Sequence, residues 1–150
     1  MVHMAGKVRL HVACIWMFFL LVLEFLVGMT VNLFIVIPHV HPGSTGSNWF
    51  AEVAQGVPWA LVHGPALLQL HVSLGIAIGV FATWLLLQVR AAGRGGYWLV
   101  VGWFGVLSAA GNGASFLDLG HDFSSALMSF GFAIAIVSYV MLLARPAGGR

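Results

Sequence analysis

The chain has 150 residues, 61% of them hydrophobic and 7% charged, with a formal net charge of +2. A soluble domain is about 25% charged, so this composition excludes one and describes an integral membrane protein. The single cysteine, Cys14, excludes an intramolecular disulfide and a multi-cysteine metal site.

Four segments are long and apolar enough to cross a hydrocarbon core about 30 Å thick. In chain order they are Leu10–Ile37, Val57–Val89, Tyr97–Ala114 and Ser124–Ala144. The first is too long for a signal peptide and lacks a small-residue cleavage site, so it reads as a retained helix. The loop Pro38–Gly56 is rich in Gly, Ser and Pro, and a short interfacial helix is expected around Asn48–Ala54. The loop Ala91–Gly96 is short and makes spans two and three a tight hairpin. Trp49, Trp59, Tyr97 and Trp98 sit near predicted interfaces, where amphipathic rings act as anchors. The expected fold is all-α: a polytopic membrane protein with one four-transmembrane-helix bundle over residues 1–150.

Charge placement predicts its orientation. Lys7, Arg9, Arg90, Arg94, Arg145 and Arg150 all fall on one side, whereas Glu52, Asp118 and Asp122 fall in the opposite loops. By the positive-inside rule both termini are cytoplasmic, in a cell membrane. The basic residues therefore report topology rather than nucleic-acid binding.

Glu24 is the one acidic residue inside a span. A carboxylate at the bilayer centre costs roughly 2.5–3.5 kcal/mol on insertion scales, and such residues usually face a partner, a ligand or water. Counted inward from Ile37 and from Pro58 at 1.5 Å per residue, Glu24 and His71 reach the same depth, roughly 20 Å from the outer boundary. The same count pairs Asn32 with His63 in a shallower layer. Asn112, Ser125 and Ser129 also fall in the outer half, while the inner half is almost wholly apolar. Gly75 and Gly79 form a small-x3-small pattern suited to close helix packing, and Gly28, Gly102 and Gly105 suit it likewise.

The polar layers admit three functions. The first is a cofactor pocket, with b-type haem as the leading candidate. His71 is followed one turn later by Gly75, which leaves room for a porphyrin face, and His63 with His121 offers a second arrangement near the outside. Its candidate residues are His71, His63, Glu24, Asn32, Asn112 and His121, in a redox role. The second is a proton or cation conduit centred on Glu24 and His71. The third is a structural or accessory subunit, in which that pair locks two helices together. The expected partners are the lipid bilayer and either further copies of the chain or a larger membrane complex. Separately, His39, His41, His121 and Asp118 form a weak candidate metal site at the outer surface, since imidazole and carboxylate bind zinc or copper. No catalytic triad or metalloprotease motif is visible.

Several strings occur together: Glu24-x3-Gly28-Met29-x2-Asn32-Leu33, Pro38, His41-Pro42-Gly43, His71-x3-Gly75, Asn112-Gly113-x-Ser115-Phe116-Leu117 and Ser124-Ser125-x2-Met128. In these the chain resembles a group of small four-span prokaryotic membrane proteins. The resemblance implies the four-span fold and carries no activity with it.

Overall fold

A computed structural model describes residues 2–44, 48–91, 96–119 and 122–144, with 2–9, 90–91, 118–119 and 122 described through their backbone alone. Five helices follow one another: α1 (Val2–Phe34), α2 (Trp49–Val62), α3 (Ala66–Ala91), α4 (Tyr97–Leu119) and α5 (Asp122–Leu143). Four contain apolar stretches long enough to cross a membrane: Leu10–Phe34, Ala66–Val89, Tyr97–Leu117 and Phe123–Leu143. The protein is thus an all-α polytopic bundle.

The spanning helices form a closed ring. α1 packs on α3 and α5, and α4 packs on α3 and α5. The shorter α2 lies across α3 and α4 at the end of the bundle that carries residues 35–44, here called the loop end. The opposite end, where α1 and α4 begin and α3 and α5 end, is called the hairpin end. Large apolar side chains such as Trp16, Phe19, Val80 and Phe130 remain exposed. A continuous apolar surface of that kind suits lipid rather than water.

The predicted second span, 57–89, is not one helix. α2 starts where the interfacial helix is expected but runs on to Val62, and the chain breaks at His63-Gly64-Pro65. Pro65 is the cause: it has no N–H to continue the ladder, and it disfavours helical geometry in the residue before it. The break leaves carbonyls without helical partners, which lipid does not tolerate. Gln69 answers this locally: its Nε2 donates to Gly64 O at 2.9 Å and to Val62 O at 3.2 Å. At the other end of α2, the Asn48 side chain accepts from Ala51 N–H at 3.1 Å and caps the first turn. Glu52 in that turn complements the helix dipole.

α4 and α5 approach until their backbones touch. A Cβ on Gly131 would lie 2.6 Å from Ala109 N, and one on Gly105 would lie 2.8 Å from Ala135 N. Small residues therefore set this interface, as in other lipid-embedded helix pairs. Gly102 belongs to the same face, where a Cβ would meet Ser138 and Tyr139. Gly79 does not close-pack, since nothing lies within 4 Å of its Cβ direction.

The apolar core fills the hairpin half, with Met17, Leu21, Ile78, Leu85 and Leu99 all but inaccessible. That half is less purely apolar than expected. Trp103 Nε1 donates to Thr83 Oγ1 at 2.9 Å, and Thr83 Oγ1 donates to Gly79 O at 2.8 Å, which joins α3 to α4. Tyr139 is fully buried in the same core.

Candidate functional site

Glu24 and His71 meet. His71 Nδ1 lies 2.9 Å from Glu24 Oε1, joining α1 to α3, and Glu24 is only 2% exposed. The approach is close but off the ring's N–H direction, so Nδ1 makes no aligned hydrogen bond. The second carboxylate oxygen, Oε2, has no hydrogen-bond partner among the described residues.

Two glycines make the meeting possible, each opposite the other helix's polar residue. A Cβ on Gly28, one turn after Glu24, would lie 2.8 Å from His71 Cε1. A Cβ on Gly75, one turn after His71, would lie 3.0 Å from Glu24 Oε1. The motifs Glu24-x3-Gly28 and His71-x3-Gly75 thus interlock on antiparallel helices. The space beside Gly75, which the sequence suggests for a porphyrin face, is occupied by the Glu24 carboxylate.

The pair lines the wall of a partly open cavity of about 380 Å³. All five helices contribute to it. Asn32 and Gly28 come from α1, Trp49 and Val53 from α2, and Gly111 and Ala114 from α4. α5 adds Met128 and Phe132. Most of the wall is apolar. Small specific sites are commonly built this way, with few polar groups in an apolar cleft of about 300–1,000 Å³. Asn32 is tied to α5 by Ser125, whose Oγ donates to Asn32 Oδ1 at 3.5 Å. Trp49 fastens α2 over the cavity by donating from Nε1 to Ser115 Oγ at 2.9 Å.

Two other expected cofactor residues fall outside this cavity. His63 is the exposed C-cap of α2, with its backbone N–H on Trp59 O. The break at Pro65 takes it off the axis of α3, so it forms no layer with Asn32. Asn112 turns its amide to its own helix and donates to Ser108 O at 2.8 Å. His121 lies outside the described residues.

Of the candidate metal residues His39, His41, His121 and Asp118, only His39 and His41 have described side chains. Among the described residues, no group of three or more His, Cys, Asp or Glu is placed to hold a metal ion. His39 is exposed, and the Asp118 side chain lies outside the described residues. His41 is 8% exposed and already engaged. Its ring stacks on Trp59, with centroids 4.5 Å apart and planes at 14°. Nδ1 lies 2.9 Å from Pro42 O, and Nε2 lies 3.2 Å from Leu117 O. Carbonyls only accept, so a neutral ring donates to one of them at a time and only an imidazolium donates to both.

Gly43 completes this clamp. Its φ of +104° is open to glycine, and a Cβ there would lie 2.6 Å from Glu52 O. His41-Pro42-Gly43 therefore ties residues 35–44 to α2 and α4, beside the cavity. The sequence carried no sign of this role, nor of α2 as a cavity wall. Neither depends on periodicity, and a Trp near an interface reads first as an anchor. No family model, curated protein or solved structure matches the chain.

Proposed function

We propose that this membrane protein binds one small, mostly apolar molecule drawn from the bilayer, with Glu24 and His71 as its polar anchor. One observation carries the reading: a mostly apolar cavity of about 380 Å³ lies between the helices, with Glu24, His71 and Asn32 among its few polar lining residues. The clustering of basic residues in the sequence supports, by the positive-inside rule, a cytoplasmic hairpin end and a cavity in the outer half.

A binding pocket fits better than a conduit. One and two turns from Glu24 toward the hairpin end lie Leu21 and Met17, both fully buried and packed with Ile78 and Leu85. That plug supports a closed floor. The haem reading loses its steric support, because Glu24 fills the space beside Gly75.

The test uses Gly111, which lines the cavity and whose added Cβ would meet nothing within 4 Å. Gly111→Phe adds a bulky side chain at the wall, starting from a Cβ position that is open, and replaces a poor helix former. Lipid-soluble extract from the source membrane should raise the unfolding temperature of the wild type and leave that of Gly111→Phe unchanged. Ligand at about 100 times its Kd stabilises by about 2.7 kcal/mol, enough to read as a shift of several degrees. Equal behaviour of the two proteins contradicts the proposal. A Soret band that His71→Ala removes would replace it with haem.

A further inference from the structure

We infer that the ligand is a single-chain lipid alcohol, held by its hydroxyl at His71, whose chain leaves the cavity sideways between α3 and α4; this rests on the pocket reading above. The route follows the α3–α4 seam. Toward the hairpin end the seam is closed by the hydrogen bond from Trp103 to Thr83. Toward the loop end α2 crosses it, held by Trp49 on Ser115. Between these closures the cavity wall reaches the outside of the bundle. Ile76 and Leu107 both line the cavity, yet they are 48% and 42% exposed. One turn beyond Leu107, Gly111 leaves open space where a side chain would stand. Counted from Ala66 and back from Leu117, Ile76 and Leu107 each lie about 15 Å from the loop end, midway along the spans. A gap at that depth opens onto hydrocarbon rather than water.

The dimensions admit one chain. The lining runs from Leu68 to Ile78 on α3 and from Val106 to Leu117 on α4, about 15 Å along the bundle axis. About 380 Å³ over that length leaves a mean section of about 25 Å². One extended hydrocarbon chain fills such a section. Two chains side by side, or a fused ring system, exceed it.

The polar contact runs through the imidazole. The His71 side chain is 15% exposed, against 2% for Glu24. Its Nδ1 is fully buried beside Glu24, which leaves Nε2 as the nitrogen a ligand can reach. An imidazole nitrogen donates or accepts according to its proton, whereas a hydroxyl does both. A hydroxyl therefore pairs with Nε2 in either state. His71 lies about 8 Å from the loop end, nearer to it than the gap does. The chain thus runs from His71 toward the gap with its hydroxyl on the loop-end side, as an amphiphile stands in that half of a membrane.

Photolabelling in lipid nanodiscs tests chain and hydroxyl separately. The probes are dodecanol with a diazirine midway along the chain, the same chain without the hydroxyl, and a sterol carrying a diazirine. Adducts are mapped by peptide mass spectrometry. The alcohol should label Ile78 and Val106, which line the cavity and are 2% and 5% exposed. Unmodified dodecanol should compete, and Gly111→Phe should abolish that labelling. The hydrocarbon probe should label the same residues about two- to tenfold more weakly, the scale of one hydrogen bond. His71→Ala should raise the dodecanol needed for half-competition by a similar factor.

Equal labelling of the cavity by the sterol would overturn the single-chain assignment. Equal labelling by alcohol and hydrocarbon, or unchanged competition in folded His71→Ala, would overturn the hydroxyl assignment. Either result leaves the pocket standing where Gly111→Phe abolishes the cavity adducts. Adducts confined to exposed residues such as Phe19 and Phe130, the same in both proteins, overturn the inference outright. The membrane-extract comparison decides separately whether the cavity takes any ligand.

Discussion

Gly131→Val and Gly105→Val are each expected to lower the stability of the bundle by about 3 kcal/mol or more, at or above the upper end for overpacked cores. The reason lies in what the new side chain meets. At both positions a Cβ falls within 2.8 Å of backbone on the opposing helix, Ala109 N and Gly105 O for one and Ala135 N and Gly131 O for the other. A flexible side chain can swing aside, but a helix backbone yields only by moving the whole helix. α4 and α5 would separate, taking apart the wall that carries Gly111, Ala114 and Phe132. Gly79→Ala is the control. Nothing lies within 4 Å of its Cβ direction, so it should be neutral or stabilising by up to about 1 kcal/mol through helix propensity. Denaturant titration in one detergent, followed by circular dichroism, measures all three. Similar effects at positions 79, 105 and 131 would mean that helix flexibility, not backbone contact, governs these sites.

The second large effect concerns the interlocked pair. Gly28→Ala should destabilise by about 1–3 kcal/mol, since its Cβ falls 2.8 Å from His71 Cε1. In a His71→Ala background the same substitution should cost far less, because the atom it collides with is gone. Gly75→Ala should behave likewise against Glu24→Ala, though more mildly, at 3.0 Å from Oε1. Contacting residues typically show coupling of about 0.5–3 kcal/mol in such cycles. Strictly additive costs in both cycles would show that the glycines and the polar pair act independently.

These contacts also mark how far the sequence could be read. The spans were legible because a membrane imposes long apolar runs, and Glu24 stood out because a carboxylate there is costly. Its pairing with His71 was legible from depth alone. The same count failed for Asn32 and His63, because it passed through Pro65 as if the helix were continuous. Hydropathy runs high on both sides of His63-Gly64-Pro65, so nothing in it marks a break; only the chemistry of proline does.

Gly75 shows a second limit. The pattern His71-x3-Gly75 signals that something needs room one turn after the histidine, and the structure fills that room with Glu24 Oε1 rather than an open face. Which neighbour occupies a glycine's space is a tertiary fact. Gly131 was not singled out, because one glycine in an apolar helix looks the same whether it faces lipid or another backbone. In the sequence His41 stands as a candidate metal ligand in a loop. Its burial arises from contacts with Trp59 and Leu117 that are distant in sequence.

The central claim is that the cavity beside Glu24 holds a ligand. Its most direct measurement is mass spectrometry of the organic extract from protein purified in mild detergent, wild type beside Gly111→Phe. The expected result is one lipid-soluble species, near one per chain in the wild type and strongly depleted in the variant. An extract identical for the two proteins, with no species above the level of bulk lipid and detergent, would contradict it.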